Sequence, residues 1–500
     1  MKKFCNSTAA AMLVLGSLAV FFNFYFTTLA GVDGYYHIRH AWIYATQGIF
    51  NSAFPWLQYS VVGQLGTDIW YGFHIFLIPF SLLGDLLLGL RLAATVITFA
   101  ALAGFYTILK KLEIRWPVFW TLLFFFSAPD VNFRLLMVRP HILTFILVLT
   151  LFYALVKNRS GKLIFSLSAG VAFIHLAMAW LPILMAIIVN GTQKIVGGKW
   201  EIKKNLAGAA GLIVGWLARP EPFSAIKLAY IQVVQLAIEK FNNTPLRFGV
   251  ELRPGNRLSV VINEILPVAF LIMLAVISLI LLIKKHGGQM EKTRKVIMGS
   301  SLAISIIFGF ITYGVARRAA DIWIGFGLVF VGLAISIFYE HYAGVFNKLK
   351  IKLVVLASIL LLGFTANTLR FTLDYFKNLP PTNAFQESAD WLKTHTRPGD
   401  IVFNIHWDNF PSLFFWNQHN YYINGMDPIF EYAFNKNLYL EHYFIDIDKV
   451  FIYEGEAYTC TTNPCGPGAI ISVYDSLKNN FKADYIFIEM ARNPIIYKYL

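Results

Sequence analysis

The sequence predicts a polytopic α-helical membrane protein with about eleven spans and a C-terminal α/β domain outside the cytosol. Composition is the first of three observations behind this. Of the 500 residues, 57% are hydrophobic and only 14% are charged, where an ordinary soluble domain has about a quarter charged. Mean hydropathy is +0.58. The second is clustering: the runs at 9–29, 92–109, 142–155, 266–283 and 353–369 approach or reach the roughly 20 residues that a helix needs to cross hydrocarbon. These runs lack the period-two alternation of a lipid-facing strand, which excludes a porin-like barrel. The third is lysine placement, which sets the topology.

The net charge of +14 comes mostly from short lysine clusters between apolar runs, the pattern of cytoplasmic loops. With neither a separate basic domain nor a recognition motif, nucleic acid is not an expected partner. Lys2 and Lys3 precede an apolar run ending at Gly31. That run is longer than the apolar stretch of a cleaved signal peptide and suits an uncleaved anchor. The segment after Gly31 is therefore expected outside.

Counting 69–88 as a full span would place Lys110, Lys111 and Arg115 outside. Reading 69–84 as a re-entrant or interfacial helix puts that cluster inside. Lys157, Arg159 and Lys162 then also fall inside, with Lys194, Lys199, Lys203 and Lys204. So do Lys284, Lys285, Lys292, Arg294 and Lys295, and finally Lys348, Lys350 and Lys352. The expected spans are 9–30, 91–109, 116–129, 140–156, 162–179, 179–191, 205–218, 262–283, 296–314, 322–339 and 352–369. This gives a transmembrane domain over 1–370, with large outer loops at 31–90 and 219–262, and an extracytoplasmic domain over 371–500. The expected location is the plasma membrane, with a cytoplasmic N-terminus.

Directly after the first span the chain reads Val32-Asp33-Gly34-Tyr35-Tyr36-His37-Ile38-Arg39-His40-Ala41-Trp42. On a helix, Asp33, His37 and His40 share one face with Tyr36. Either the aromatic residues form an interfacial belt and the charges face water, or the carboxylate at the membrane surface has a partner, a metal or a reaction. The second outer loop carries Asp130, Arg134, Arg139 and His141. The third carries Arg219 and Glu221, then an amphipathic stretch over 223–238, then Arg247, Glu251, Arg253 and Arg257. A single arginine at such a place simply snorkels to the interface. As a set, however, Arg139, Arg219, Arg247, Arg253, Arg317 and Arg318 sit where positive charge is normally depleted. Their bidentate, permanently charged forks suit an anionic lipid phosphate. His175 reads as a packed core residue rather than a ligand.

From Pro380 onward the composition turns soluble. Helices are expected over 385–395 and 470–481, and strands over 400–404, 421–424 and 484–489, the alternation of a small α/β layer. Trp407 and the Phe414-Phe415-Trp416 cluster read as core or interfacial packing. For Asp408 and Asp427, turn capping and function are both open. Cys460 and Cys465 bracket a short loop that a disulfide could close outside the cytosol.

An aspartate just past the first span, followed by paired tyrosines, His and Arg, resembles the first outer loop of GT-C glycosyltransferases. The similarity is greatest to the catalytic subunit of oligosaccharyltransferase and its bacterial relatives. The re-entrant helix, with His74 near its start as a candidate substrate contact, is similar to that family's organisation. The resemblance implies Asp33 as catalytic base or divalent-metal ligand, and a sugar donor on a polyprenyl phosphate or diphosphate. It also implies Asp130 as second carboxylate, although the usual Asp-x-Asp is missing there. Glu221 is a further candidate ligand for a cation such as Mg or Mn. Tyr36, His37, Arg39 and His40 would line the substrate site with the arginines. Within Asn404-Ile405-His406-Trp407-Asp408-Asn409-Phe410-Pro411, Trp407 and Asp408 match two positions of the acceptor-binding run of oligosaccharyltransferases, whereas His406, Asn409 and Phe410 do not.

The chemistry has a physical basis. A carboxylate within hydrogen-bond reach activates a weak hydroxyl or amide nucleophile, and arginines or a metal stabilise the departing phosphate. The expected function is thus transfer of a sugar from a polyprenyl-linked donor to an extracytoplasmic protein, lipid or glycan acceptor, with membrane lipids around it. The rival readings are a transporter or flippase, which needs ionisable residues deep in its spans, and a non-enzymatic cell-envelope assembly protein.

Overall fold

The computed structural model describes residues 2–286, 290–466 and 468–499. Each of the eleven predicted spans coincides with a helix, but the helices differ in reach. Among the described residues, seven are long and apolar enough to cross a membrane: Thr8–Tyr25, Leu86–Lys111, Leu176–Ile195, Leu258–Lys285, Lys292–Gly314, Arg317–His341 and Lys350–Lys377. An eighth candidate is a bent pair, Pro129–Leu135 and Pro140–Val156, with 101° between its arms. Helices Pro117–Phe126, Gly161–Ile174 and Ile202–Leu217 are shorter. Proline sets several of these boundaries. Pro117, Pro129 and Pro140 each open a helix, where the missing N–H costs nothing. Ala128 and Arg139, each preceding a proline, are extended, because the proline ring disfavours helical backbone before it. The helix expected over 69–84 is Tyr71–Ser81, 11 residues. At 1.5 Å per residue that is roughly 16 Å, about half the hydrocarbon thickness.

The chain divides into two compact units. One comprises residues 1–31, 91–215 and 249–380; the other comprises 32–90, 216–248 and 381–500. Residues 32–90 and 216–248 thus belong to the same unit as the C-terminal segment, whereas 249–262 of the expected loop over 219–262 belong to the first unit.

In the first unit, the helix Ala320–His341 is the most enclosed, with buried residues on all sides. Small residues bring neighbouring helices close. Gly208, Gly211 and Gly215 are buried on helix Ile202–Leu217. A Cβ added at Gly211 or Gly215 would collide with the carbonyl oxygen of Phe165 or Ala169, so the two backbones touch through a Gly-x-x-x-Gly face.

The second unit carries two three-stranded sheets. Six strands form them: β1 (Ile401–Asn404), β2 (Tyr421–Tyr422), β3 (Phe451–Tyr453), β4 (Glu456–Cys460), β5 (Ile470–Ser472) and β6 (Tyr485–Phe487). The first sheet is parallel in the order β2-β1-β6; the second is antiparallel in the order β3-β4-β5. The parallel sheet gains a further lane from residues 56–59. Leu57 bridges Tyr422 in parallel. Tyr422 donates its N–H to Trp56 O, Gln58 donates to Tyr422 O and Tyr59 donates to Ile423 O, all within 2.9 Å. Tyr59 also packs on the core formed by Phe403, Ile405, Ile423, Ile445 and Phe481.

The expected helix over 470–481 is corrected at its start. Ile470, Ile471 and Ser472 extend as β5 against β4, with Cys460 opposite Ile470. A pair of β-branched residues directly after a Gly-containing turn favours a pleated edge over a helical first turn. Cys460 and Cys465 form a disulfide across this hairpin, with their Cα atoms 5.6 Å apart.

One buried histidine network in this unit ties stability to pH. The His442 ring lies between Glu431 Oε2, 2.8 Å from Nδ1, and Ile405 O, 2.6 Å from Nε2. Burial alone would lower its pKa, but the Glu431 charge and hydrogen bond raise it. A histidine raised in the folded state adds stability that is complete below its unfolded pKa of about 6.5 and is lost as pH rises through the folded value. The stability difference between wild type and His442→Gln should therefore shrink as pH is raised above about 6.5, read as thermal midpoints of the whole protein in detergent. A second expectation concerns the glycine face. Gly211→Leu should cost about 1–3 kcal/mol by overpacking, whereas Gly191→Ala, with open space around it, should be nearly neutral in the same assay.

Candidate functional site

In the first unit, charge concentrates at one end of the helices. Helix Pro129–Leu135 breaks before Pro140, and Arg134 and Arg139 emerge around the break. Arg134 grips Asp321 in a forked geometry, Nε to Oδ2 at 3.0 Å and Nη2 to Oδ2 at 2.9 Å, and reaches Glu251 Oε2 with Nη1 at 3.0 Å. Arg139 also binds Glu251 Oε2. Glu251 lies in the segment before helix Leu258–Lys285. Burial would raise its pKa, but Arg139 and Arg134 lower it to about 2, so it stays ionised. Asp321 lies in the first turn of its helix, where the positive end of the helix dipole also favours it.

A second ionic group adjoins a cavity of about 440 Å³. Arg317 Nη2 lies 2.6 Å from Asp130 Oδ2 and 3.0 Å from Glu264 Oε1. Glu264 sits in a π-helical turn, Val261–Ile265, the kind of distortion that re-aims a side chain and recurs at functional sites. The cavity is lined by Asp130, Glu264, Asp374, Arg257, Arg317 and Tyr375 among others. Three carboxylates and two arginines thus face one space. Lysines stand at the far end of the helix that carries Glu264 and at both ends of the one that carries Asp374, where Lys377 closes the last turn. Glu264 lies at the start of a helix ending in Lys284 and Lys285, and Asp374 at the end of one starting with Lys350 and Lys352.

In the second unit, the helix Asp33–Gln47 forms as its spacing predicts, with Asp33 in the first turn, half-buried, and Tyr36, His37, His40 and Tyr44 on its buried face. His37 Nδ1 lies 2.8 Å from His74 Nε2, and His74 Nδ1 lies 2.6 Å from Asp68 Oδ2. Tyr44 donates to Asp68 Oδ2 at 3.0 Å, and Tyr36 OH lies 2.9 Å from His40 Nδ1. His37, His40, Asp68 and His74 are all at most 4% exposed, so the three histidines face one another rather than solvent. Burial and the neighbouring His74 lower the His40 pKa to about 3, leaving it neutral. Burial would raise the Asp68 pKa, but His74 reverses this and holds the carboxyl below its usual range. Tyr36 is raised by burial and by the nearby carboxylates.

Most of the remaining predicted residues of this unit are engaged by protein partners, and Glu221 is exposed. Arg39 donates to Phe415 O at 2.9 Å and lies over the Trp42 and Phe415 rings. Arg219 donates to Asp68 O at 3.0 Å. Glu221 is exposed, with left-handed backbone, at the start of helix Pro222–Tyr230. Arg247 binds Asp446, which also holds His406 Nδ1. Trp407 and Asp408 are half-buried, and Asp408 pairs with Arg492 at 3.1 Å. Asp427 caps a helix, accepting from Ile429 N, and Phe414 and Phe415 are core. In the first unit, Arg253 is exposed and its carbonyl accepts the Arg317 N–H at 3.0 Å, while Arg318 contributes to lowering Glu251. His175 is buried beside Thr144, as its core reading expects.

The sequence reading did not single out Asp68, Glu264, Asp321 or Asp446. Two signals were available. Asp68 stands two residues before Trp70, whose N–H it accepts at 2.8 Å, the position of a helix-start cap before an apolar run. Asp321 and Glu264 are single acids inside long apolar helices, where an ionisable residue requires a partner.

Removing one member of the forked pair strands the other charge in a low-dielectric interior. Asp321→Ala should therefore cost about 3–5 kcal/mol of stability. The double replacement Arg134→Met with Asp321→Leu should cost less than that single change, as read by chemical unfolding in detergent. Compared with known proteins, the chain matches no family model and no curated relative, so the reading of the site rests on its own geometry.

Proposed function

We propose that the protein is a GT-C-type membrane glycosyltransferase that moves a sugar from a polyprenyl-(di)phosphate-linked donor to an extracytoplasmic acceptor. The observation that carries this reading is the charged cavity of the first unit. A space of about 440 Å³ among the ends of apolar helices, lined by Asp130, Glu264, Asp374, Arg257 and Arg317, suits an anionic lipid headgroup. Intramembrane ionisable residues mark substrate sites by default. The excess of carboxylates over arginines also suits a phosphate accompanied by a divalent cation, whose chemistry when bound would be to neutralise the leaving phosphate.

The chain's own residues have defined tasks under this reading. Arg317 and Arg257 orient the phosphate, and the fixed Arg134–Asp321 pair keeps the helix ends in register. Asp33, in the first turn of its helix, accepts the proton of the acceptor nucleophile. Trp407 and Asp408 contribute to acceptor binding. The reading takes the membrane-crossing helices as eleven, with the short Tyr71–Ser81 helix half-inserted, so that Asp130, Arg257 and Arg317 face away from the lysine clusters. The Cys460–Cys465 disulfide agrees with an oxidising compartment for the C-terminal segment.

Purified protein in nanodiscs, supplied with a labelled polyprenyl-phosphate sugar and membrane-derived acceptors, should transfer the label. Asp33→Asn should lower the rate by about 10²–10⁴-fold, the contribution of a general base, while leaving the thermal midpoint unchanged. Arg317→Met should weaken donor binding. Full activity in Asp33→Asn would overturn the assignment.

A further inference from the structure

We propose that His40, Asp68 and His74 form a binding site for a single metal ion of the zinc class, which clamps the Asp33–Gln47 helix to the Tyr71–Ser81 helix. Each of the three residues offers one ligand atom, and these atoms all lie within 4.8 Å of one another. That spacing lets one ion replace the existing hydrogen bonds with small side-chain movements, since bonds of about 2.0–2.2 Å to a central ion put ligand atoms well inside it.

The atoms around the ligands are arranged as an outer coordination shell requires. A metal-bound histidine normally engages a partner through its other ring nitrogen, and a bound carboxylate is itself hydrogen-bonded. His40 Nδ1 is held by Tyr36 OH at 2.9 Å, which leaves Nε2 as its ligand atom. His74 Nε2 is held by His37 Nδ1 at 2.8 Å, which leaves Nδ1. Asp68 keeps Trp70 N–H on Oδ1 at 2.8 Å and Tyr44 OH on Oδ2 at 3.0 Å. All three ligands thus have their outer partners in place. The His74 Nδ1–Asp68 Oδ2 hydrogen bond, 2.6 Å long, stands where the ion would bridge the same two atoms.

Donor type selects the ion. Two imidazoles and one carboxylate suit zinc, cobalt or nickel, whereas magnesium and calcium take oxygen ligands and retain waters. The aromatic surroundings add to this. The His40 ring stacks on Phe54 and on His74, at 5.2 and 4.3 Å between centroids, leaving little room for a hydrated cation. The site stands whether or not the protein transfers sugars, because its three ligands all come from residues 33–81.

The test is metal content and cobalt spectroscopy on the full chain in detergent, purified without chelator. The expected result is about one zinc-class ion per chain. After chelation, cobalt(II) should produce the visible absorption of a tetrahedral nitrogen–oxygen site and raise the thermal midpoint, while magnesium does neither. His40→Gln and Asp68→Asn should lose the ion, whereas Asp130→Asn and Glu221→Gln should keep it. Tyr36→Phe, which removes only an outer partner, should weaken affinity by about 10–100-fold and so reads the site even where a ligand variant fails to fold. Wild-type protein that neither retains an ion nor gives the cobalt spectrum would overturn the proposal. Retention of the ion at full affinity in His40→Gln would do the same.

Discussion

The forked Arg134–Asp321 pair is the constraint on which the first unit depends. Neither residue tolerates its position alone, because an isolated charge in a low-dielectric interior costs several kcal/mol even after relaxation. Together they fix two things that apolar packing leaves free: the axial position of helix Ala320–His341 and the direction in which the chain leaves the break before Pro140. Glu251 extends the pair into a chain of alternating charge that also takes in Arg139. The neighbouring Arg317–Asp130–Glu264 group repeats the pattern beside open space. One ionic group is closed and therefore structural, and the other adjoins a cavity that a ligand can enter.

Helix positions were legible because apolar length and lysine placement are properties of single segments. The eleven expected spans each coincide with a helix, and the reading of 69–84 as less than a full span agrees with the 11 residues of Tyr71–Ser81. In the C-terminal segment, β1, β2 and β6 fall where short apolar runs between turn residues placed them. β3 and β4 were not read, since Phe451–Tyr453 and Glu456–Cys460 are partly exposed and carry little periodic signal. The start of the 470–481 element was misread because two isoleucines fit a helix or a strand equally until a partner strand is known.

The site was legible in part. Positive charge on the lysine-poor face drew attention to the arginines, yet the same signal could not separate Arg317, which lines a cavity, from Arg219 and Arg247, which bind Asp68 and Asp446. A fork that fits phosphate also fits a backbone carbonyl or a carboxylate, and only tertiary contacts decide which it meets. The acidic partners were harder still. Asp68, Glu264 and Asp321 are single acids without a motif around them, and their meaning lies wholly in what they touch. His37 and His40, which share a helix face, and His74, near the start of the expected re-entrant helix, were read as substrate contacts through the family resemblance, whereas their burial ties them first to one another.

The lane that residues 56–59 add beside β2 has a consequence for how the protein is made. Its partners, Tyr422 and Ile423, come more than 360 residues later in the chain, as the Trp56–Gln418 contact at a separation of 362 illustrates. At a synthesis rate of about 5–20 residues per second, residues 56–59 wait roughly 18–72 s before their strand partner emerges. Until β2 exists, the ladder bonds of residues 56–59 to Tyr422 and Ile423 cannot form. The loop is short there, and its flanking helices pack on each other without the sheet. Residues 56–59 and β2, from opposite ends of the chain, therefore meet in one sheet only after β2 has been made.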